Sequence, residues 1–420
     1  MRAYKTRNSA SGDLVSYYYD DDYSSSAITI KDIKNIIKNA TLRNHYRLSI
    51  LNPDESVKTV IPEEDILSGG SFTENYQNGQ RRSISVTLFN ELKRYTPSIN
   101  GIWSNVRFSY DVGIEMLNGT IVWFKKGVYV VTAATPTHSP GEKNVSLELS
   151  DKFSLFEGAS GTLEMSYTIP VGTVIEDALS DILKLHMGNG ERFDSKPLIY
   201  HSSFKGKKTQ ATISKEAGSN YGEIISELCT QLNAEYFYDV EGNFNIVPIN
   251  DVTNDVDKPI IDDLYAEDGD FSSDNLSFSF NDIINRVYVI GSTVNGYLYQ
   301  ATAVNDDPSS PLCYQRIGYR TASPINDTNI TSDVLAQDRA DYELRQKLIL
   351  KTSVSIDTPL NPFYLVNNIT RLTDEFFGIQ QQEFIIQSIS WSIDYSGFMS
   401  VGLSSTQNLP FFVRGGGTNG

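Results

Sequence analysis

Cysteine and histidine, the residues most often used for covalent and metal chemistry, are scarce in this sequence. Its 420 residues include 2 cysteines and 4 histidines. Cys229 and Cys313 are too few for a disulfide framework and lack partners at metal-ligand spacing, so we expect both to be buried thiols. No histidine has a second one three or four residues away, which argues against a zinc site and favours structural roles. The histidines are His45, His138, His186 and His201.

Long apolar runs are missing as well. No run approaches the roughly 20 residues that a membrane-spanning helix needs. The first residues, Met1–Arg7, have no apolar segment behind them that would make a signal peptide. We therefore expect no membrane segment, and synthesis and assembly in the cytoplasm unless something other than a signal peptide carries the chain out.

Positive charge is in short supply, since the formal net charge is −17. A protein that wraps nucleic acid needs a basic stripe that releases counterions, so this composition argues against that class. It does not argue against DNA passing nearby, because an acidic conduit would repel phosphates and keep them from sticking.

The residues that are abundant favour β-structure. Tyrosine (24) and phenylalanine (20) far outnumber methionine (5) and tryptophan (3), and together with serine, threonine and asparagine they favour strands and turns. Hydrophobic residues form 40% of the chain, enough for a buried core. Because single cores stop growing at roughly 250 to 300 residues, the length predicts two to four domains.

The segment Leu276–Ala303 gives the strongest local signal. Within it, Arg286–Ile290 is β-branched or aromatic at nearly every position, which is typical of a strand packed on both faces. Asn295-Gly296 fits a type I′ turn, and Tyr297–Ala303 returns beside the first strand. We predict a hairpin whose first strand is central in a β-barrel.

An earlier β unit is predicted between residues 69 and 156. Ile84, Val86 and Leu88 alternate with hydroxyl residues, so one face should be apolar and the other hydroxylic. A meander follows, and at least five strands are enough to curl into a barrel. The later segments are 106–117, 120–124, 128–133, 145–149 and 151–156, with turns at Asn118-Gly119 and Lys126-Gly127.

Between the β units the pattern mixes helix and strand. Thr173-x-x-Glu176 is a capping box at the start of one helix, and a second helix begins at Asn220. A hairpin over residues 234–247 completes a compact α+β unit, and the acidic segment 251–274 should be a solvated connector.

The two ends of the chain are predicted differently. Residues 1–27 are polar without a period, so we expect an arm that orders against a partner, followed by a short docking helix led by a Thr29/Asp32 capping pair with an isoleucine stripe. Near the other end, a helix over 332–350 has small residues at four-residue spacing, which allows close packing. The isoleucines of the docking helix are Ile33, Ile36 and Ile37. The stripe of the later helix is Ala336, Ala340, Leu344 and Leu348. Further strands are predicted at 352–356, 364–369, 384–393 and 398–403.

Several short motifs could be sites, but each has a simpler interpretation. Gly218–Gly222 resembles a phosphate loop without the P-loop lysine and is better explained as the start of a helix. Glu267–Asp270 and Asp20–Asp22 could bind calcium, yet neither matches the twelve-residue loop. The tyrosines of 17–23 could stack on sugars or bases, and a contact with a neighbouring subunit is the plainer account. Carboxylate pairs for glycoside hydrolysis leave no sequence spacing, and nothing singles out a pair. We predict no catalytic residue, cofactor or metal.

The order of elements and several motifs resemble the hub proteins of phage tails and contractile injection machines, related to the hub part of the type VI secretion spike protein. The motifs span about residues 69 to 403. They are Val145–Gly158, the helix and hairpin of Tyr221–Phe244, Asn285–Gly291, the helix Ala336–Leu344 and the closing strand Phe384–Ser390.

The resemblance implies a mainly β fold with α+β: two tail-tube-like β-barrel domains joined by a small α+β domain. It implies a homotrimeric ring of pseudo-sixfold symmetry, which would join the sixfold tail tube, or a distal tail protein, to a threefold central spike or tip and contact other baseplate proteins. DNA would be a partner only in passage through an acidic lumen, and the location would be the baseplate of a virion assembled in the host cytoplasm. The sequence lacks a fused lysozyme or peptidase module.

These observations give one expected layout and one expected function. The function is a non-enzymatic baseplate hub; the alternatives are a tail-associated cell-wall hydrolase and a carbohydrate-binding tail adhesin. The expected parts are a polar arm and docking helix (1–68), a first tube-like barrel (69–165), an α+β domain with the acidic connector (166–275), a second tube-like barrel with one helix (276–410) and a flexible tail (411–420).

Overall fold

The computed structural model describes residues 2–7, 14–20, 30–39, 42–98, 102–103, 106–187, 192–232, 234–248, 260–278, 283–294, 296–308, 310, 312–327, 330, 332–347 and 352–405. The fold is mainly β. The strands are β1 Arg2–Arg7, β2 Leu14–Asp20, β3 Asn44–Leu51, β4 Val57–Val60, β5 Ile66–Asn75, β6 Arg82–Phe89, β7 Arg107–Glu115, β8 Ile121–Ser139, β9 Glu142–Asp151, β10 Tyr167–Ile169, β11 Ile199–Tyr200, β12 Ile213–Lys215, β13 Ala234–Tyr238, β14 Phe244–Pro248, β15 Ile260–Tyr265, β16 Ser273–Phe278, β17 Arg286–Val294, β18 Tyr297–Val304, β19 Ile325–Asn326, β20 Thr352–Pro359, β21 Ile369–Asp374, β22 Ile379–Ile393 and β23 Phe398–Ser405. The helices are α1 Ile30–Asn39, α2 Ile175–Lys184, α3 Tyr221–Leu232, α4 Tyr314–Ile317 and α5 Asp333–Lys347, with 3₁₀ turns at Glu63–Asp65, Lys152–Phe156 and Ser202–Phe204.

A 15-stranded sheet dominates the molecule. Its main path runs β16-β20-β23-β22-β5-β6-β9-β8-β7-β3-β4, with β1, β2, β15 and β21 attached at its sides. The two β units expected from the sequence are therefore parts of one sheet, because β22 pairs antiparallel with β5. Within the described residues this path ends at β16 and β4 and closes no barrel, so the two closed barrels expected for a single chain are not seen.

One hydrophobic core covers the inner face of this sheet. The alternation predicted for β6 is confirmed: Ile84, Val86 and Leu88 are buried, while Ser83 and Thr87 lie on the other face. Such alternation arises because successive side chains of a strand point to opposite faces. The isoleucine stripe of α1 packs into the same core, as predicted for a docking helix; Thr29, the proposed cap, lies outside the described residues.

The α+β unit has a core of its own, formed by α2, α3 and the strands β10 to β14. The two predicted helices, now α2 and α3, and the hairpin β13–β14 are confirmed. The capping box is wrong, because α2 begins at Ile175 after an N-cap at Val174 whose side chain accepts no hydrogen bond. The Thr173 hydroxyl instead donates to the Pro170 carbonyl at 2.7 Å.

The hairpin over 276–303 forms, but not in the main sheet. Strands β17 and β18 pair as predicted, with Val294 opposite Tyr297, while Asn295 of the predicted turn lies outside the described residues; β17 is the central strand of a separate three-stranded sheet, β18-β17-β19. Only one face of β17 is fully covered: Val287 and Val289 pack in a small core with the predicted alanines of α5, Ala336 and Ala340. This module is an insertion in the second β unit, between β16 and β20.

Four local predictions need correction. β8 continues through Gly127, where the backbone bulges with φ 144° and no turn forms. The predicted strand 151–156 is a 3₁₀ turn following an Asp151 N-cap, and the predicted strand 364–369 begins instead at Ile369. The acidic segment 251–274 is not simply a solvated connector, because its described part contributes β15 and β16 to the sheet. Residues 44–60, for which no strand was predicted, form β3 and β4.

Candidate assembly surfaces

The joint between the two β units is a run of backbone pairing reinforced by aromatic rings. It runs from Ser388 opposite Asn75 to Ile393 opposite Gly70. On the core side, the Phe72 and Trp391 rings stack with centroids 3.8 Å apart, and the Trp391 indole N–H donates to the Tyr110 hydroxyl at 3.2 Å. Continuous ladder hydrogen bonds and buried stacking hold the two units in one relative orientation.

The two ends of the sheet path have one unpaired side each among the described strands. At one end, β4 pairs only with β3, and Val57 and Val60 are 59% and 50% exposed. At the other end, β16 pairs only with β20. A strand edge with free N–H and C=O groups is a template for another strand, so these edges are where a further chain could extend the sheet.

The face of the sheet that points away from the core is dominated by serine and threonine. We call this surface, carried by β20, β23, β22, β5, β6 and β9, the hydroxyl face. Its residues are Ser353, Ser355 and Asp357; Ser400, Gly402 and Ser404; Ser388, Ser390 and Ser392; Ser71, Thr73 and Asn75; Ser83, Ser85 and Thr87; and Ser146, Glu148 and Ser150, all half-buried or exposed.

One glycine lies on this face where two strands approach closely. A Cβ atom at Gly402 would lie 2.3 Å from the Ser388 hydroxyl oxygen on the neighbouring strand, so a larger residue would require the Ser388 side chain to move. The hydroxyl face therefore crosses the second β unit without a bulky side chain at this point.

The α+β unit meets the sheet through buried charges. Arg82, on β6, donates from its guanidinium to Glu74 Oε1 at 2.5 Å and to the Tyr238 carbonyl of β13 at 2.7 Å. Its neighbour Arg81 is ion-paired with Glu235, also on β13. Both arginines and both glutamates are nearly fully buried. We call this region, with the residues of the next paragraph, the ionic junction.

Lys152 is the centre of the second half of the ionic junction. Its Nζ lies 2.5 Å from Glu55 Oε1 and 2.9 Å from Asp194 Oδ2, and 4.8 Å from the centre of the Tyr238 ring. Lys196 binds the other Glu55 oxygen at 2.6 Å. These contacts connect the β3–β4 turn with the α+β unit.

Asp151, which contacts Arg81 and Arg82 at the ionic junction, and Glu55 have shifted pKa values. Burial raises the pKa of Asp151 to about 6, although it accepts backbone N–H groups from Arg81 and Arg82 at 2.6 and 3.1 Å. For Glu55, burial also opposes ionisation, but the ammonium groups of Lys152 and Lys196 outweigh it and keep the pKa below its usual value. Because a buried charge is costly without a partner, these pairings favour a single orientation of the α+β unit on the main sheet.

Lys126, on the core side of β8, carries another buried ammonium group. Its Nζ donates to the carbonyls of Pro362 and Tyr364 at 2.6 and 3.2 Å, and burial lowers its pKa to about 8. The contact connects a strand of the first β unit with a turn of the second. Lys126 therefore adds a second tie between the two units besides the β22–β5 pairing.

The candidate residues from the sequence lie apart from one another. His45 sits between Glu63 and Glu115, with ring nitrogens 3.0 and 3.3 Å from their carboxylates, and His201 caps a 3₁₀ turn by accepting from the Ser203 N–H at 3.2 Å. His138 and His186 are exposed. Cys229 and Cys313 are fully buried free thiols, as expected. No group of three potential metal ligands occurs within the described part of the chain.

The motif candidates also have structural roles. The Asn220 side chain accepts from the Glu223 N–H at 3.0 Å, which confirms that Gly218–Gly222 is the start of helix α3. Asp270, from the proposed calcium motif, binds Lys38 of α1 at 3.0 Å. Of the acidic and tyrosine-rich segment 17–23, only the backbone of 17–20 is described; it forms part of β2, which pairs with β8. The ionic junction was not predicted, since its members are far apart in sequence.

No helix in the described ranges is long and apolar enough to cross a membrane. No family model matches the sequence. No curated protein matches it either.

Solved structures of similar shape do exist. The 43 kDa tail protein of prophage MuSo2 from Shewanella oneidensis is 15% identical with a TM-score of 0.57, over 86% of this chain and 98% of that one. The tail protein from Neisseria meningitidis MC58 is 10% identical with a TM-score of 0.56, over 86% and 97%. A chain of the Francisella PdpA–VgrG complex is 11% identical with a TM-score of 0.54, over 94% and 67%. The chain has the fold of these proteins.

Proposed function

Starting from the fold of a phage tail protein, we propose that this chain is a structural hub of a phage tail baseplate. Three copies would form a ring of pseudo-sixfold symmetry that joins the sixfold tail tube to a threefold spike or tip and lets DNA pass. The role is mechanical, and no catalysis is assigned to this chain.

The observation that carries this proposal is the β22–β5 joint. It fuses two β units side by side into one sheet and leaves one unpaired edge at each end, at β4 and β16. A head-to-tail contact between copies would satisfy both edges at once, and a rotation that closes gives a ring. Three chains with two β units each would present six similar units to a sixfold tube.

The proposed division of the chain follows the layout expected from the sequence. The tube-like units are 69–165 and 276–410, separated by the α+β domain and connector at 166–275, with an arm and docking helix at 1–68 and a tail at 411–420. The main sheet supports an earlier start for the first unit, because β3 pairs with β7 along its whole length. The ionic junction would fix the α+β domain on the outside of each pair of units.

The proposed partners are other copies of the chain, the tail tube or a distal tail protein, a central spike or tip, and further baseplate proteins of the virion. Support comes from the fold shared with two tail proteins and with a chain of the PdpA–VgrG complex. The free edges of the sheet provide surface for such contacts.

The proposal is tested by the solution mass of the purified full chain, measured by light scattering and followed by imaging of the same peak. We expect a particle of three chain masses, each 46.9 kDa, with an open centre. A chain that stays monomeric at every concentration, and also in the presence of its tail tube and spike proteins, would contradict it.

A further inference from the structure

We propose that the hydroxyl face is the wall of the DNA channel, and that this wall works by being nearly neutral and hydroxylated, not by being acidic. The inference rests on the proposed function, and it names the surface that DNA would pass. It departs from the acidic lumen expected from net charge.

The first argument is the composition of the face. It extends over six neighbouring strands and across the β22–β5 joint, and its positions include no lysine or arginine. Basic side chains bind DNA by neutralising phosphates and releasing counterions. A wall without them gives a moving polyanion nothing to bind electrostatically.

The second argument is that hydroxyls on this face are bonded to each other. Thr73 Oγ1 lies 2.7 Å from Ser83 Oγ on the next strand, and Thr87 Oγ1 lies 3.0 Å from Ser146 Oγ. A free serine or threonine hydroxyl can donate to a phosphate oxygen. Hydroxyl groups that already share a hydrogen bond across strands have less capacity to hold DNA.

The third argument concerns the two acids of the face. Glu148 accepts a hydrogen bond from the Ser85 hydroxyl at 3.0 Å, and Asp357 accepts one from Ser400. Two carboxylates among so many hydroxyls account for little of the formal charge of −17. Most of the acidic balance must therefore lie on other surfaces, because the cations and carboxylates of the ionic junction nearly cancel.

The occupant that fits this wall is double-stranded DNA in transit. A face meant to bind a protein partner tightly would offer apolar anchors, which dominate the energy of such interfaces. On this face of the described chain, exposed large apolar side chains lie only at the ends of strands, at Phe89 of β6 and Phe398 of β23, while Leu117, Phe376 and Tyr395 belong to turns outside it. Small polar side chains also leave the channel wall smooth.

Cysteine accessibility in the assembled ring tests the inference. Ser85→Cys and Ser390→Cys place single reporters on the hydroxyl face, one in each β unit, and Ser202→Cys places a matched reporter on the exposed surface of the α+β unit. The native thiols Cys229 and Cys313 are fully buried and give little background. Each variant is treated with N-ethylmaleimide or with a maleimide on a polyethylene glycol chain wider than DNA.

We expect N-ethylmaleimide to label all three reporters in the ring. The bulky reagent should label Ser85→Cys and Ser390→Cys at least an order of magnitude more slowly than Ser202→Cys, and the difference should vanish in denaturant. Equal rates with the bulky reagent would place the face outside the ring, and failure of the small reagent would show it covered by protein; either overturns the inference while the ring itself remains. A chain that stays monomeric in light scattering, also with its tail tube and spike proteins present, would instead contradict the proposed function and the channel wall together.

Discussion

The two faces of strands β5, β6 and β9 differ in how many charged side chains they carry. Their solvent face is mostly hydroxylated and carries the carboxylates Glu142 and Glu148 on β9, while their core face ends in the buried Glu74, Arg82 and Asp151. A soluble protein ordinarily has the reverse arrangement, since charged residues are almost never fully buried unless paired. Here the buried charges favour one way of docking the α+β unit, and in the proposed ring the nearly neutral open face would be left free for DNA to pass.

The difference shows what each kind of surface can specify. Buried ion pairs contribute little net stability against well-packed apolar groups, but a mismatched pair is heavily penalised, so they select one orientation. Exposed hydroxyls contribute little to stability and select nothing. Substitutions at neighbouring positions of one strand, whose side chains point to opposite faces, therefore test this contrast.

The largest effect is expected at the joint. Trp391→Ala should lower the free energy of unfolding by about 5 kcal/mol, because it empties a large core volume and also removes the donor to the buried Tyr110 hydroxyl. Ser392→Ala, one residue along on the open face, is the control and should cost less than about 0.5 kcal/mol. Denaturant unfolding measures both, and similar losses would contradict the assignment of the two faces.

A slightly smaller effect is expected for the ionic junction. Arg82→Met should cost about 3 to 4 kcal/mol, since Glu74 would remain buried without its cation. The adjacent Ser83→Ala changes only the hydroxyl face and should cost about 1 kcal/mol or less, through the hydrogen bond to Thr73. If the double variant Arg82→Met with Glu74→Leu were no more stable than Arg82→Met alone, the loss would not come from an unpaired carboxylate.

The pH dependence of stability tests Asp151. Burial raises its pKa from 3.8 to about 6, so between these values the folded chain holds a proton that the unfolded chain has released. Its contribution to stability is therefore greatest below about pH 4 and falls as pH rises through about 6. Asp151→Asn removes this titration, so the stability advantage of the native protein over the variant should shrink by about 2 to 3 kcal/mol between about pH 4 and pH 7.

Glu55 provides the internal contrast for that measurement. Its pKa is lowered in the folded protein, so its contribution is present above its usual pKa and is lost as pH falls. This opposite trend is common to the native protein and Asp151→Asn and cancels in their difference. A difference that stayed constant with pH would show that Asp151 has an ordinary pKa.

The smallest effect on stability is expected on the hydroxyl face. Ser85→Lys with Ser390→Lys should change the unfolding free energy by no more than about 1 kcal/mol, because both sites are half-buried at the surface and the main loss is the hydrogen bond from Ser85 to Glu148. The ring should nevertheless gain affinity for linear double-stranded DNA that declines with the logarithm of salt concentration. Glutamine at both positions is the uncharged control of similar size, and equal binding by the glutamine variant would count against the electrostatic account of the wall.

Much of the local structure could be predicted from periodicity. The hydroxyl and apolar faces of β6, the isoleucine stripe of α1, the buried face of α3 and the alanines of α5 all follow from side-chain spacing. These patterns are local, and burial of one face is sufficient to produce them. The predictions were wrong where the local pattern fits two structures, as at Gly127, where glycine permits a β-bulge as well as a turn.

The candidate surfaces were less predictable. The part of the hydroxyl face on β6 was visible in the sequence, but its continuation through Thr73 to Ser390 required knowing that β5 pairs with β22, more than 300 residues away in the chain. The ionic junction likewise unites Glu55, Lys152 and Asp194, each of which looks like an ordinary surface residue in its own segment.

Side-chain spacing along short stretches was enough to predict many of the strands and helices and their buried faces, because those properties are local. The neighbours of each strand, the single sheet shared by the two β units and the position of the hairpin at 286–304 outside it could be known from the folded chain alone. Such choices depend on contacts between distant residues, whose combined packing and pairing energy no local pattern records.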